Sequence, residues 1–527
     1  MARTLAGLAL AAGLAFAWSA APAARTARRL PPIVFVSRAA PSGAETGQVP
    51  GLGPHGTFAG SGGRLLERAP DGTLRPLVPA DRLYDVADPA VSEDGARVAF
   101  AARERAESPW RVWTVDRAPA EGRSGSGDGS LRCRTCDDAA GDDADPVWWG
   151  DTLLFVSTRA RGAADSALYD GAPVTQLWAR APDGRLSQLT HEPNGALDPA
   201  VDATQRRVVF ARWWFNPWRA DDAGGVRRGT TAADSVNLWQ VVSARLARGV
   251  DDQLRLDDVR LAAGGTVPRR SGMGVQPAPL PKAGLVAVAA RNTGLAPRAG
   301  TLALVRYAAP PSPGRRIAGA AIGDDAADPY TEGANLRAPA ACAPAVLPDG
   351  RVLCALDAGG RGDFAVWLIG ADGEPRTRLI DLPETWELDP APVPEPQPER
   401  SRPRASRHKE AVQIVSQPGV LATFRYLDLD VFSGRGAAAR REDAQLSVYR
   451  LVGRDSVRLL GSVPVPRSGK VDLRLPADTP LFEVLTDAAG RVLASAHGPT
   501  QVRGFNSGGA GSTSRCTGCH LGHTAPP

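Results

Sequence analysis

The chain has 527 residues, of which 43% are hydrophobic, so it can bury a sizeable core but is too long for one ordinary compact domain. Its formal net charge of +5 is mild, and no lysine- and arginine-rich run is interleaved with aromatic residues, which argues against nucleic-acid binding. The 57 glycines and 46 prolines are many for a helical protein and favour short strands and turns.

The N-terminus has the pattern of a secretory signal peptide. Arg3 gives a positive start, residues 5–18 form an apolar stretch, and "SAAPAA" offers a cleavage site. We therefore expect residues 1–24 to be a signal peptide and the mature protein to be periplasmic or extracellular. An uncleaved membrane anchor is the alternative. No later run is long and apolar enough to cross a bilayer, so no transmembrane span is expected after cleavage.

One pattern recurs through the first three quarters of the chain: a proline-containing start, an apolar strand, a turn, a second apolar strand and then a strand that often carries tryptophan. Alternating apolar residues around D-G turns predict short antiparallel strands with tight hairpins. Restarts every 50 to 80 residues (roughly) are typical of propeller blades with loop insertions. The five copies are "DPAVSEDGARVAFAAR" from Asp88, "DPVWWGDTLLFVSTR" from Asp145, "DPAVDATQRRVVFAR" from Asp198, "QPAPLPKAGLVAVAAR" from Gln276 and "APAVLPDGRVLCALD" from Ala343.

The two ends of the repeat region complete each other. "DPAPV" at Asp389 begins a sixth copy and then stops, while "PPIVFVSR" at 31–38 supplies the strand that this copy lacks. "GRLLERAPDGTLRPL" from Gly63 supplies outer strands. A blade made from both ends would close the ring and hide its edge strands. The sequence therefore predicts a six-bladed β-propeller of the TolB/PD40 type over residues 30–393.

The remainder of the chain also reads as β structure. Residues 394–409 are rich in proline and arginine and predict a linker. Residues 410–500 contain alternating stretches such as "AQLSVYRLV" and predict a small all-β domain of the β-sandwich type. A glycine- and serine-rich approach then opens the segment 501–527. The predicted class is all-β throughout.

The segment 501–527 carries the motif C-x-x-C-H, formed by Cys516, Cys519 and His520. This is the attachment signature of a c-type haem: both thiols bond to the haem vinyl groups and the histidine binds the iron. Export fits this interpretation, because haem is joined to such thiols outside the cytoplasm. We expect one covalent haem c with His520 as the proximal ligand. A zinc site and a disulfide are the alternatives.

The second axial ligand of that iron is expected to be a histidine or to be absent. His497 is the candidate within the same part of the chain, whereas His55, His191 and His408 would need the propeller or linker to dock against the haem. After signal cleavage Met273 is the remaining methionine, in a propeller loop. The sequence therefore predicts a bis-histidine or open site rather than His/Met ligation.

The other four cysteines form two close pairs. Cys133 and Cys136 make a second C-x-x-C, followed by an aspartate where a haem site needs histidine. A structural disulfide, buried thiols, half of a metal site and a redox dithiol are the interpretations, and no thioredoxin-like context supports the last. Cys342 and Cys354 flank the turn "LPDGR" and are candidates for a cross-strand disulfide or contact.

The order of these parts resembles one known family. An exported TolB-type propeller, a small β domain containing "LRLPADTPLFEVLTDAAGRVL" and then "RCTGCH" are similar to the α subunit of hydrazine synthase and its relatives. The resemblance implies haem attachment at Cys516 and Cys519 with His520 beside the haem. That subunit has a further haem-bearing domain and needs partner subunits, so hydrazine synthesis itself is not implied for a chain with one motif.

Two functions follow as expectations. The first is a monohaem c-type cytochrome on a propeller scaffold, which exchanges electrons with an unidentified redox partner protein or serves as a subunit of a redox enzyme. The second is a binding module, in which the propeller recognises a ligand or protein and the haem is subsidiary. No P-loop, G-x-S-x-G or H-E-x-x-H motif occurs, so hydrolase chemistry has no support.

Overall fold

A computed structural model describes residues 30–39, 47–49, 57–59, 62–117, 130–137, 141–159, 168, 171, 173–220, 225–229, 236–249, 252–263, 274–280, 284–290, 300–305, 315–318, 339–359, 363–395, 412–413, 421–426, 444–466, 469–492 and 505–516. Contacts divide the chain into the units Met1–Leu30 and Pro31–Pro527, and every strand given below belongs to the second unit. The described residues are all-β and form several sheets. No helix in these ranges is long and apolar enough to cross a bilayer.

The strands up to residue 395 make up the first region. In chain order they are β1 (Ile33–Ala39), β2 (Gly47–Val49), β3 (Thr57–Ala59), β4 (Arg64–Arg68), β5 (Leu74–Pro76), β6 (Asp85–Val91), β7 (Arg97–Arg103), β8 (Arg111–Asp116), β9 (Arg132–Cys133), β10 (Asp143–Trp149), β11 (Thr152–Ser157), β12 (Gln176–Arg180), β13 (Leu186–Gln188) and β14 (Ala196–Asp202). They continue as β15 (Arg207–Asn216), β16 (Trp218–Ala220), β17 (Val226–Arg228), β18 (Val236–Arg248), β19 (Leu254–Ala263), β20 (Gly274–Leu280), β21 (Gly284–Ala290), β22 (Gly300–Val305), β23 (Arg315–Ala318), β24 (Ala340–Val346), β25 (Val352–Asp357), β26 (Ala365–Ile369), β27 (Arg376–Ile380) and β28 (Thr385–Pro392).

The first region is built from antiparallel groups of four strands, as the repeat predicted. The groups run β6-β7-β8-β9, β10-β11-β12-β13, β14-β15-β18-β19, β20-β21-β22-β23 and β24-β25-β26-β27, with β16-β17 and β2-β3 as separate pairs. Both faces of the middle strands are buried because neighbouring groups stack against them. Val98 to Ala102 of β7 are all fully buried, with Phe100 and Ala99 belonging to different core clusters on opposite faces.

The N-terminal strand pairs with the last strand of this region. β1 lies between β28 and β4 in a sheet of order β28-β1-β4-β5, with Ile33 opposite Pro392 and Ser37 opposite Glu387. Residues 33–36 are completely buried, which explains why "IVFV" is apolar at every position instead of alternating. The pairing that the sequence predicted between these distant segments is therefore present.

The first strand of each group has a bulge at a residue that precedes a proline. Each of these residues has a positive φ, between 45° and 52°, a conformation that costs a non-glycine residue about 1 to 2 kcal/mol. First strands contact one another in sequence: β6 with β10, β10 with β14, β14 with β20, β20 with β24, β24 with β28, and β28 with β6. The six bulge residues are Asp88, Asp145, Asp198, Gln276, Ala343 and Asp389.

The second region contains the remaining strands. They are β29 (Val412–Gln413), β30 (Leu421–Tyr426), β31 (Gln445–Val452), β32 (Ser456–Pro464), β33 (Val471–Pro476), β34 (Leu481–Thr486) and β35 (Thr513–Cys516). β32, β31 and β34 form one sheet, while β35, β30, β33 and β29 line up in another. Side chains from both sheets share one core, including Phe424 and Leu473 from one and Leu446 and Leu485 from the other.

The second region is continuous with the first. The sheet of β30 and β33 joins the group β14-β15-β18-β19 through β35, giving one eight-stranded sheet. Phe482, Val484 and Phe505 also belong to the same apolar cluster as Trp213 of β15. The sequence did not predict this joint. The predicted linker 394–409 lies outside the described residues apart from its first two positions.

Candidate functional site

The predicted haem-attachment motif begins where β35 ends. Cys516 is the last residue of that strand, and its backbone lies opposite Tyr426 of β30. Cys519 and His520 lie outside the described residues, as does the candidate distal ligand His497. The structure therefore describes the chain up to the first cysteine of the motif.

β35 lies between strands of the two regions. On one side it runs parallel to β30, with Thr423 opposite Thr513 and Phe424 opposite Ser514. On its other side Ser514 lies opposite Val259 of β19, again in a parallel arrangement. Because both neighbours pair with β35, the backbone just before the motif is held by both regions at once.

The segment leading into β35 is bonded along its length. The indole nitrogen of Trp214 donates to the Phe505 carbonyl at 3.0 Å, and the Thr513 amide donates to Oδ1 of Asp257 at 2.8 Å. A side chain at Gly508 would place its Cβ 3.0 Å from Cβ of Ala422, so this close approach requires glycine. These contacts tie the segment to β15, β19 and β30.

A buried charge network anchors β35 to β19. Asp258 is 5% exposed and forms ion pairs with Arg515 and, at 2.8 Å, with Nη1 of Arg207. Arg207 also donates to the Asp258 carbonyl at 2.6 Å and to Oγ of Ser243. Burial alone would raise the pKa of Asp258, but the hydrogen bond and charge of Arg207, with the charges of Arg515 and Arg260, hold it below its usual value. Asp258 is therefore a carboxylate near neutral pH.

The pKa of Arg207, the partner of Asp258, is lowered. Burial, together with the charges of Arg260 and Arg245, lowers the pKa of Arg207 to about 10, whereas Asp258 acts in the opposite sense. Arg207 stays protonated near pH 7. Arg207 and Asp258 thus form a charged pair inside the first region, and Asp258 connects that region to β35 through Arg515.

Beside Cys516 lies an arginine with an unused donor. Arg425 of β30 is opposite Arg515 in register, one residue before Cys516 and Tyr426. Its Nη2 atom is buried and makes no hydrogen bond within the described part of the chain, while its Nε lies 3.6 Å from Oδ2 of Asp472. Guanidinium donors suit carboxylates, and the propionates of a haem are carboxylates. The thiol–thiol–imidazole spacing fits the group that the motif implies. Arg425 lies opposite Arg515, so its side chain is on the other face of the sheet from position 516, and it is paired with Asp472.

Of the other residues considered as iron ligands, His191 lies within the described ranges. His191 lies at the joint, where its Nε2 is 3.1 Å from Oδ1 of Asp478 in the second region and its Nδ1 is 3.3 Å from Nε2 of Gln188. His55, His408 and Met273 are outside the described residues. Within the described ranges, no group of three or more His, Cys, Asp or Glu side chains converges in a way that could hold a metal ion.

The remaining cysteines form one disulfide. Cys133 and Cys136 are joined. Cys342 and Cys354 are buried thiols that are not joined, so the disulfide expected for this pair is wrong. The bulge in β24 places Cys342 opposite Ala355, which puts Cys354 on the other face of the sheet. The two thiols accordingly belong to different core clusters, and burial raises the pKa of Cys354 to about 12.

The bulge residues surround a cavity of about 380 Å³ that the first strands line together. Their side chains connect one strand to the next. The Asp198 amide donates to Oδ2 of Asp145 at 3.2 Å, the Gln276 amide to Oδ2 of Asp198 at 3.0 Å, and the Ala343 amide to Oε1 of Gln276 at 2.9 Å. These bonds offset the backbone strain at the bulges and set the spacing of the groups around the cavity. The sequence signal was the repeated acid–proline pair.

The described residues form an all-β, propeller-like protein in which β35, the strand that ends at Cys516, connects the first region with the second. No family model matches the chain, and no curated protein matches it. Among solved structures it is similar to the hydrazine synthase of Kuenenia stuttgartiensis, with a TM-score of 0.63 and 15% identity over 93% of this chain and 69% of that chain. A thermostable family-43 glycoside hydrolase matches with a TM-score of only 0.29 and 14% identity, over 60% of this chain and 96% of that one. The first likeness shows a distant structural relationship.

Proposed function

We propose that this chain is an exported monohaem c-type cytochrome-like protein that uses a β-propeller scaffold for electron transfer or as a subunit of a redox enzyme. The observation that carries the proposal is the position of Cys516, at the end of a strand held by both regions. The C-x-x-C-H spacing that begins there is the attachment signature of haem c.

The residues that would hold the haem are Cys516 and Cys519, through thioether bonds, with His520 as proximal ligand. When bound, the haem supplies a one-electron centre whose potential depends on its axial ligands and surroundings. The protein's own contribution is positional. Asp258 and Arg515 fix β35, the strand that ends at Cys516.

The scaffold in this proposal is a six-bladed propeller related to the hydrazine synthase α family. Its support is the contact of each first strand with the next, including β28 with β6, and the pairing of β1 with β28. Replacing the fully buried Phe35 by aspartate should unpair β1 and cause aggregation through the exposed edges of β28 and β4. Leu74→Ser is the matched control, because Leu74 is 38% exposed on the outer strand of the same sheet. A soluble, heat-resistant Phe35→Asp protein would argue against this closure.

The distal side of the iron completes the proposal. A bis-histidine site, with His497 as candidate, favours electron transfer, whereas an open site favours small-molecule chemistry. Carbon monoxide binding to the reduced protein separates the two. A charge-transfer band near 695 nm (roughly, as for His/Met haems) that disappears in Met273→Ala would contradict both.

The experiment that tests the main proposal is production of the full chain with its N-terminus in a host that matures c-type cytochromes. Protein recovered from the periplasm should retain a haem mass after denaturation and show the absorption bands of a reduced c-type haem. Export without haem, or a bound zinc in its place, would overturn it.

A binding module is the second candidate, favoured by the cavity of about 380 Å³ that the six bulged strands line. In that case partner or ligand binding should be the same in the Cys516→Ser, Cys519→Ser variant as in the unchanged protein. Electron exchange with a soluble donor that requires Cys516 and Cys519 favours the first function.

A further inference from the structure

The second C-x-x-C lies at the outer side of its sheet. Cys133 ends β9, which pairs with β8 through Trp113 and Thr114, and its disulfide partner Cys136 follows in the loop. Cys136 is exposed and Cys133 is half-buried. A thiolate from solution can therefore approach the sulfur of Cys136, which is the first requirement for thiol–disulfide exchange.

The loop keeps its conformation through contacts other than the disulfide. The Arg134 amide donates to the Val112 carbonyl at 2.7 Å, and the Val112 amide donates to Oγ1 of Thr135 at 3.0 Å. The Thr135 hydroxyl in turn bonds to the carboxylate of the buried Asp143. Both residues between the cysteines are thus fixed to the neighbouring strand. Opening the disulfide should leave the two thiols close together and ready to re-form it.

Arginines dominate the surroundings of this loop. Arg132 and Arg134 lie within it, and Arg97 and Arg180 are near enough that, after burial, their positive charges lower the pKa of Arg134. Two nearby carboxylates already form ion pairs: Asp137 with Arg180 at 2.7 Å and Asp151 with Arg97 at 2.8 Å. The negative charge of Asp116 raises the pKa of Arg134, but by less than the neighbouring arginines lower it. Positive potential stabilises a thiolate relative to a thiol and favours reduction of the disulfide.

We propose that Cys133–Cys136 is a thiol–disulfide exchange site that accepts two electrons from a dithiol, independently of the haem. A donor thiolate attacks the exposed sulfur of Cys136, the bond between the two sulfurs breaks, and Cys133 leaves as a thiolate. The second thiol of the donor then attacks the mixed disulfide and releases Cys136. One disulfide in the protein is reduced, one forms in the donor, and two electrons and two protons are transferred.

The test uses the full chain carrying Cys516→Ser and Cys519→Ser, so that it does not depend on haem attachment. The protein is equilibrated at pH 8 with glutathione at several ratios of reduced to oxidised form, quenched with acid, alkylated and analysed by mass spectrometry. We expect Cys133 and Cys136 to become alkylated together and reversibly while the circular dichroism stays native. Cys342 and Cys354, which are buried, should stay unlabelled as internal controls.

Charge variants give the second readout. Arg132→Gln with Arg134→Gln removes two charges from the loop and should shift the equilibrium about five- to tenfold toward the disulfide, as loss of two nearby charges at a protein surface implies. Arg228→Gln is the matched control, because Arg228 is an exposed arginine paired with Asp455 elsewhere in the chain. A disulfide that resists reduced glutathione until the protein unfolds, or an equilibrium that the loop variant leaves within twofold, would overturn the proposal.

Discussion

The two C-x-x-C sequences of this chain have the same spacing but different surroundings. Cys133 ends a two-residue strand that pairs with β8, and its motif closes on itself as a disulfide. Cys516 ends β35, which lies between β19 and β30. The residue after the second cysteine differs as well: Asp137 pairs with an arginine beside its own loop, whereas His520 is a possible iron ligand. We therefore expect the neighbouring strands and the residue after the second cysteine, more than the cysteine spacing, to decide whether such a motif closes as a disulfide or holds a cofactor.

Exchanging both cysteines of each motif for serine tests the comparison most directly. Cys516→Ser with Cys519→Ser should abolish covalent haem completely, because no thiol remains to bond to the vinyl groups. Cys133→Ser with Cys136→Ser should leave the haem content unchanged. The mass of denatured protein and the absorption spectrum measure both results. Haem loss in the second variant would mean that the two motifs are not independent.

The aspartate–arginine pairs beside the motifs should differ strongly in their contribution to stability. Asp258→Asn leaves the buried Arg207 without its charge partner and should lower the free energy of unfolding by about 3 to 5 kcal/mol. Asp137→Asn breaks the exposed pair with Arg180 and should cost about 0 to 1 kcal/mol. Urea unfolding followed by circular dichroism gives both values. Equal losses would contradict the larger contribution expected from the buried pair.

The pH and salt dependence of the free energy of unfolding tests the same two ion pairs, Asp258 with Arg207 and Asp137 with Arg180. Neighbouring arginines lower the pKa of both Asp258 and Asp137, so each pair contributes stability above the unfolded pKa of about 3.9 that is lost as the pH falls through the lower folded value. The difference in the free energy of unfolding between the unchanged protein and Asp258→Asn should therefore have its full value at pH 7 and become smaller below about pH 4. Salt should weaken the exposed pair and leave the buried one nearly unchanged. A difference for Asp258→Asn that persists undiminished at pH 2 would contradict this assignment.

Local sequence patterns predicted much of the first region. The acid–proline starts at Asp88, Asp145 and Asp198 mark first strands because in each of them the bulge residue precedes a proline and its side chain accepts from the amide of the next bulge residue. The pairing of β1 with β28 could also be predicted, since an apolar strand at one end matched a missing strand at the other. Repetition made these long-range relationships visible.

Long-range features without repetition escaped prediction. Nothing near Ser514 indicates that it lies opposite Val259. β35 is short, and Val259 lies about 255 positions earlier in the chain. The Cys342–Cys354 prediction failed for a local reason: the bulge at Ala343 shifts the register by one residue, and a one-residue shift changes which face a side chain occupies. The charge network around Asp258 likewise depends on three strands that the sequence does not bring together.

Hydrogen bonds and the disulfide both hold the loop of the first motif. Thr135→Val removes a hydroxyl that accepts from Val112 and donates to the buried Asp143, so it should cost about 1 to 3 kcal/mol. The disulfide closes a loop of only four residues, for which chain entropy gives at most about 2 kcal/mol. Because hydrogen bonds already restrain Arg134 and Thr135, Cys133→Ser with Cys136→Ser should cost less than that, about 1 kcal/mol or below.

Thermal or urea unfolding of the two variants, made in the same background, measures this order. If the cysteine variant loses more stability than Thr135→Val, the disulfide acts mainly as a covalent restraint on the fold. If the threonine variant loses more, hydrogen bonds hold the loop and the disulfide is dispensable for folding. The two sulfurs are then available for exchange at an arginine-rich surface.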